Sequence, residues 1–413
     1  MSRSWIVISD FFKGILKLLF LIFIDIVIRL KTLINQCQGQ SRKSIQKIAI
    51  LYCGGIGDYI NYLPTLRIVR QTLPQAHLTV IAYTYGASVK DILSSEVDSV
   101  LEIKNDKPSL KHCHSEDFDL MLIGYRDANL HTLLIPAFSR IPFIIYTREK
   151  YYRQWLVALK KLFRVPYTLQ KTYIAQENAT ATRSLLAFLQ KPYPPGYKHT
   201  PQFHTHPNEK AEALQFLSKN YPGFNMADKK IFIHPGSSTF GKNRGWLRSW
   251  SIKNWQILLS ELVIRYPKAS IVLLGGPDDE EVMNALTTHI SCMPDNVKNR
   301  IINLHGKIPS LQKLAAFISL ADLLVCCDSA PMHFSVALGV RLVAIFAGTN
   351  ENAWLPKDDR FLVAARQDLS CRPCLWVTRT HCCDNPVCLD VPVEMVLEKI
   401  DYQLHRYVSQ QAA

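Results

Sequence analysis

Apolar and polar positions follow two rhythms along this chain. Short, nearly continuous apolar runs at Ile45–Cys53, His77–Tyr83, Ser99–Ile103 and Phe118–Gly124 have the character of parallel strands buried on both faces. Between them, Tyr59–Thr72 and Val89–Leu93 carry the longer period of helices, and Pro74 stops the first. Glu177–Leu189 reads as another helix. Lys191–His206 (KPYPPGYKHTPQFHTH) is Pro-rich and polar, the composition of a linker. The alternation then restarts, with strands at Lys230–His234, Ser270–Leu274, Ile301–Leu304, Leu323–Val325 and Leu342–Phe346. Helices at Asn254–Tyr266 and Leu311–Ser319 lie between these strands, and Val393–His405 closes the chain. Strands alternating with helices predict an α/β fold with doubly wound sheets. The expected organisation is a first domain over 45–200, a second over 201–392, and a closing helix over 393–413 that returns toward the first domain. A length of 413 residues suits two domains.

The segment before the first strand breaks this rhythm. Phe11–Leu30 (FFKGILKLLFLIFIDIVIRL) is strongly apolar but interrupted by Lys13, Lys17, Asp25 and Arg29. No small-residue cleavage site follows, which argues against a removed signal peptide. A spanning helix would carry Asp25 into the bilayer. The favoured expectation over 1–44 is a membrane-associating helix in the interface plus a linker. A spanning anchor and a helix packed on the protein are the alternatives. The basic residues that follow, Lys31, Arg42, Lys43 and Lys47, place the body on the cytoplasmic side in either membrane case.

Charge narrows the partners. The formal net charge is +14, which calls for an anionic partner. There are no tandem fingers, long basic arm or RNA-recognition signature, so nucleic acid is not favoured. Ser139–Tyr173 interleaves basic residues, Arg148 and Lys150 among them, with aromatic ones. It reads either as a patch for an anionic acceptor and the membrane surface or as a solvated helix face with buried aromatics.

Four constellations carry candidate chemistry. Gly54-Gly55-Ile56-Gly57-Asp58 follows the first strand, where glycines permit a tight turn and close ligand approach. Asp58 is a candidate general base, or simply an acid stabilised at a helix N-terminus. Ser237–Trp255 follows a strand and supplies Ser237, Ser238, Lys242 and Arg248, the hydroxyls and cations of a phosphate loop or of a solvated basic one. Leu323–Phe346 reads as strand, turn, helix and strand. Ser329 is its expected N-cap, Pro331 lies in the first turn, Gly339 marks the stop, and Asp328 and His333 flank the start. Free amides and the dipole there suit a diphosphate. Asp117-Phe118-Asp119 has a D-x-D form, but it abuts a strand and reads as that strand's start.

Cysteines are unevenly placed. Of eleven, five lie in Cys371–Cys388: Cys371-x-x-Cys374, Cys382, Cys383 and Cys388. A tetrahedral zinc or iron site is one reading; disulfides or reduced thiols in a compact loop are the others. His204 and His206 have no further ligands nearby in the sequence and do not point to metal.

Taken together these motifs resemble glycosyltransferase family nine, the ADP-heptose–lipopolysaccharide heptosyltransferases, across roughly Ile45–Ile400. The matching segments are Gly55-x-Gly57-Asp58 with Pro64, His234-Pro235-Gly236-Ser237 with Arg248-Ser249-Trp250 and Trp255, and Asn303-Leu304-x-Gly306 with Ala321-Asp322 and Asp328–His333. Ala330 stands where the family has Gly, and Arg248 where it has Lys. The resemblance implies a GT-B fold, two Rossmann-like domains facing a cleft, and an inverting transfer of heptose or a related sugar. The donor would be a nucleotide sugar such as ADP-heptose and the acceptor an anionic glycolipid, a lipopolysaccharide core or other surface glycan. No cofactor is required for the transfer. Asp58 would be the base, and Gly55, Gly57, Arg148 and Lys150 would serve the acceptor. Ser237, Ser238, Lys242, Arg248, Gly275, Asp328, Ser329, Pro331, Met332 and His333 would serve the donor. Cys371, Cys374, Cys383 and Cys388 would hold any structural metal. Such a protein belongs at the cytoplasmic face of a bacterial inner membrane. Two other readings stay open: a transferase or epimerase for a different nucleotide sugar, and a non-catalytic nucleotide-sugar-binding subunit.

Overall fold

A computed structural model describes residues 45–52, 54–82, 86–103, 117–123, 139–145, 173–237, 248–373 and 386–411, with ten further positions between Leu19 and Asn35. The chain divides into two compact units between His199 and Thr200, apart from the short segment 171–173.

The first unit holds a fully parallel sheet of β1 (Lys47–Tyr52), β2 (His77–Ala82), β3 (Ser99–Glu102), β4 (Leu120–Ile123) and β5 (Phe143–Ile145), in the order β3-β2-β1-β4-β5. Ile48 pairs with Leu78 on one side and Leu120 on the other. After its exposed first residue β1 is buried throughout, as a central strand covered on both faces requires. Helices α1 (Ile56–Thr72), α2 (Gly86–Leu93) and α3 (Ile174–Phe188) accompany the sheet. Between α1 and α3, Asn178 Nδ2 donates to Asn61 O at 3.3 Å. Ile28, from the N-terminal segment, is 2% exposed and packs with Ala49, Leu51, Ile81 and Met121.

The second unit repeats the plan with one strand more. Its strands are β6 (Lys230–His234), β7 (Ser270–Leu273), β8 (Ile301–Asn303), β9 (Leu323–Cys327), β10 (Leu342–Phe346) and β11 (Phe361–Ala365). They lie in the order β11-β10-β9-β6-β7-β8, again all parallel. Counted from its own first strand, each unit therefore reads 3-2-1-4-5, the doubly wound order, and its winding reverses between the first and fourth strands. The helices longer than one turn are α4 (Pro207–Asn220), α5 (Ile252–Arg265), α6 (Glu280–Ser291), α7 (Leu311–Ile318), α8 (Ala330–Leu338) and α9 (Val393–Gln411). The closing helix α9 packs against the sheet of the second unit. Val396, Leu397, Ile400 and Leu404 join the core of the second. Arg265 pairs with Glu394 and Asp401, and Arg341 Nη1 donates to Gln403 Oε1 at 2.8 Å.

Matching aspartates register the two sheets. Asp119, just before β4, accepts the amides of Gln46 and Lys47 at 2.8 Å through Oδ2, which fixes the start of β1. Asp322, just before β9, accepts the Lys230 amide at 2.7 Å and fixes the start of β6. The D-x-D motif is thus spent on strand registration through Asp119. Among the described residues no helix is long and apolar enough to cross a membrane.

Candidate functional site

In doubly wound sheets, ligands bind beyond the carboxyl ends of the strands where the winding reverses. In the second unit that point lies between β6 and β9, and three loops converge there. The loop after β6 brings His234 and Ser237, the loop after β7 brings Gly275–Asp279, and the loop after β9 brings Asp328 and Ser329.

Asp279 ties the three together. Its Oδ2 accepts the Gly276 amide at 2.8 Å and lies 3.2 Å from His234 Nε2. The carboxylate accepts only, so it favours the proton on Nε2. His234 Nδ1 lies 3.3 Å from the hydroxyl oxygen of Ser329, whose proton goes to the Cys327 carbonyl at 3.2 Å. Burial raises the Asp279 carboxyl, but the His234 hydrogen bond and charge, with the Gly276 amide, outweigh it and hold the group below the ordinary range. Gly236 explains its own identity: a Cβ there would lie 1.7 Å from Asp279 Oδ1. Gly275 is likewise crowded, by Met283 and His305.

The β9–α8 turn follows its expectation with one change. Ser329 is the N-cap, Pro331 lies in the first turn, and Gly339 ends the helix at φ 72°. The Ser329 side chain makes no capping bond. It faces His234 and the Cys327 carbonyl instead, so the first amides of α8 are not capped by it. Arg248 Nη1 donates to the Asp328 carbonyl at 3.3 Å, and the Ser237 and Ser249 hydroxyls hydrogen-bond each other. These contacts gather Ser237, Arg248, Asp328 and Ser329 at one switch point. Met332 is fully buried, and the buried His333 ring meets Trp354 edge-on at 5.9 Å. Both support the turn from within. Burial pushes the Cys327 thiol up to about 12, so it stays protonated beneath the turn. Trp250 anchors the Arg248 segment, donating from Nε1 to Val391 O at 2.9 Å and meeting Trp255 edge-to-face at 4.9 Å.

The corresponding turn of the first unit holds Asp58. Helix α1 begins at Ile56, three residues earlier than the apolar pattern suggests, which places Asp58 inside the first turn. Asp58 Oδ2 accepts the Gly55 amide at 2.8 Å. A Cβ on Gly54 would lie 2.6 Å from the Asp58 Cβ. Tyr52 donates to the Asp58 carbonyl at 3.1 Å and stacks on Tyr62, so β1 and α1 are locked at this turn. Asp58 is half-buried. Gly-Gly-x-x-Asp thus recurs at 54–58 and 275–279, each time with the aspartate closing on the second glycine's amide. Asp279 went unnoticed in the sequence, and this repeated spacing was the signal for it.

Ser238, Lys242, Arg148, Lys150, Cys374 and Cys383 lie outside the described residues. Cys371 is exposed and Cys388 buried. Burial raises the Cys388 thiol, and Cys371 is near enough to raise it further against the charge of Arg372. Among the described residues no three His, Cys, Asp or Glu gather as a metal site would require.

Two doubly wound parallel-sheet units are the architecture of a GT-B-like fold. The chain belongs to glycosyltransferase family 9 (heptosyltransferase), whose profile matches residues 156–382. It is similar to the lipooligosaccharide heptosyltransferase 2 of Campylobacter jejuni, 28% identical over 178 residues that cover 42% of this chain and 51% of that protein. It is 21% identical to an Escherichia coli lipopolysaccharide heptosyltransferase 3, over 73% of this chain and 83% of that one. Its fold matches the E. coli ADP-heptose lipopolysaccharide heptosyltransferase II at a TM-score of 0.62 and 19% identity, over 88% of this chain and 99% of the other. Asp58 precedes the segment the family profile matches.

Proposed function

We propose that this glycosyltransferase moves a heptose, or a closely related sugar, from a nucleotide-sugar donor such as ADP-heptose to an anionic glycolipid acceptor of the lipopolysaccharide-core type. The observation that carries the reading is the convergence of Ser237, Arg248 and the N-terminus of α8 at the β6–β9 switch point. The first amides of α8 and the Arg248 guanidinium suit the donor diphosphate. In this reading the acceptor hydroxyl attacks the anomeric carbon from the face opposite the diphosphate. Asp58 takes the hydroxyl proton, the carbon–oxygen bond to the diphosphate breaks, and the configuration inverts. Arg248, Ser237 and the helix N-terminus meet the charge that grows on the departing diphosphate. Ser238 and Lys242 extend that set, and Arg148 and Lys150 serve the acceptor. The transfer itself uses no cofactor. By residue type and spacing, Cys371, Cys374, Cys383 and Cys388 suit a structural zinc or iron apart from the chemistry. The protein works at the cytoplasmic face of a bacterial inner membrane, where such an acceptor is presented.

The test is Asp58→Asn. Asparagine keeps an oxygen for the Gly55 amide, so α1 keeps its cap, but it cannot take a proton. Turnover should fall by roughly 10²–10⁴-fold, the usual worth of a general base, while donor affinity stays within about twofold. A near-normal rate would remove Asp58 from the base role. A thermal-shift comparison of ADP-, UDP- and GDP-sugars identifies the donor, since bound ligand raises the midpoint by mass action.

A further inference from the structure

The N-terminal helical residues show two faces of opposite kind. Ile28 is 2% exposed within the core of the first unit, and Asn35 Nδ2 donates to Pro142 O at 3.0 Å. The helix is therefore docked on that unit along one side. Leu19, Ile22, Phe23, Ile26, Leu30 and Leu33 are 39–59% exposed, and Ile34 joins them. At 100° per residue these positions fall within an arc of ~120°, and Ile28 lies opposite its centre. The exposed arc contains no polar residue among those described. Scattered surface apolar residues are ordinary, but an uninterrupted stripe over four turns marks a surface that is covered in use.

We infer that this stripe is the membrane-contacting face of the protein, laid flat into the interface of a bilayer containing anionic lipid. The charge of the segment identifies the occupant: residues 1–47 carry eight Lys or Arg against two Asp. An apolar arc flanked by net positive charge matches the boundary between acyl chains and anionic headgroups. The docked Ile28 face fixes the helix parallel to the surface, because a side packed into a soluble α/β unit is not available to lipid. The first unit, which bears Asp58, is thereby held at the membrane. This deepens the proposed reading, in which the acceptor is lipid-borne, by assigning the side chains that enter the interface.

The experiment is flotation of the full chain with vesicles of 70% phosphatidylcholine and 30% phosphatidylglycerol, and with phosphatidylcholine alone. These vesicles contain no glycolipid acceptor, so the outcome is independent of which sugar is transferred. The expected result is binding to the anionic vesicles, weakened by salt, and at least tenfold weaker for Phe23→Glu/Leu30→Glu. Both substituted residues are exposed, so the variant's thermal midpoint and its rate on a water-soluble acceptor fragment should stay unchanged. Equal vesicle binding by wild type and variant would overturn the inference. So would a lipid-free dimer of the wild type that the variant abolishes, because the stripe would then seat a second copy of the chain.

Discussion

Asp279→Ala removes the carboxylate that joins three loops of the second unit. Two donors lose their acceptor: the Gly276 amide at 2.8 Å and His234 Nε2 at 3.2 Å. Each hydrogen bond to a charged group contributes about 1.5–3 kcal/mol, so the expected loss is about 3–6 kcal/mol, a large part of the roughly 5–15 kcal/mol by which domains are typically stable. Asp279→Asn keeps the shape and one acceptor and should cost about half as much. Urea unfolding followed by tryptophan fluorescence reads the second unit through Trp250, Trp255 and Trp354, all buried there. The pH dependence adds a sign. The folded Asp279 carboxyl sits below its ordinary value, so its contribution is present above the unfolded value near ~3.9. It is lost as pH falls through the folded value. The gap between wild type and Asp279→Ala should therefore be full at pH 7 and shrink below about pH 4. A loss under about 1 kcal/mol at pH 7, or a gap that widens on acidification, would refute this account of the turn.

Gly236→Ala should destabilise the second unit by about 1–3 kcal/mol and weaken donor binding, since its Cβ would collide with Asp279 Oδ1. In an Asp279→Gly background the same change should cost much less, a coupling that a double-mutant cycle in urea reads directly. Asp119→Ala and Asp322→Ala each unpin the first strand of one unit. Each should cost about 1–3 kcal/mol, with hydrogen exchange accelerated in β1 by the first change and in β6 by the second. An equal effect of either change on both sheets would contradict the separate registration of the two units.

The strands were legible because both faces of each sheet are covered, which leaves apolar runs that end within a residue or two of β1, β2, β6 and β10. Two strands were not expected. Phe143–Ile145 spans three residues inside a basic, aromatic segment, and Phe361–Ala365 is an edge strand with no flanking glycine turn. The start of α1 was misplaced because a glycine pair usually signals a loop. Here Gly55 is itself the N-cap and Asp58 closes the first turn. Asp279 was hidden by company, since Asp278, Glu280 and Glu281 surround it and an acidic cluster after Pro277 reads as a solvated helix start. Its burial and its Gly-Gly-x-x-Asp spacing separate it from its neighbours. Periodicity likewise shows that Val396, Ile400 and Leu404 share a face, but not that the second unit's core receives it.

The two Gly-Gly-x-x-Asp turns make an internal comparison that bears on Asp58. Backbone and cap are the same in both: strand, glycine pair, and a carboxylate 2.8 Å from the second glycine's amide. A cap alone therefore does not set the role of the aspartate. What differs is the surroundings. Asp279 is buried and meets His234, whose other nitrogen lies 3.3 Å from the Ser329 hydroxyl oxygen, so its carboxylate is committed to protein partners. Asp58 is half-buried, at a turn where Tyr52 donates to its backbone carbonyl at 3.1 Å and stacks on Tyr62. The same local turn thus buries the carboxylate in the second unit and leaves it half-buried in the first. The matched pair of asparagine variants should separate the roles. Asp279→Asn should lower the urea midpoint and raise donor KM with little effect on the chemical step. Asp58→Asn should leave the midpoint unchanged and lower kcat. If both variants lost stability in equal measure and kept their kcat, the two turns would be structural equivalents, and the base would have to be sought elsewhere in the first unit.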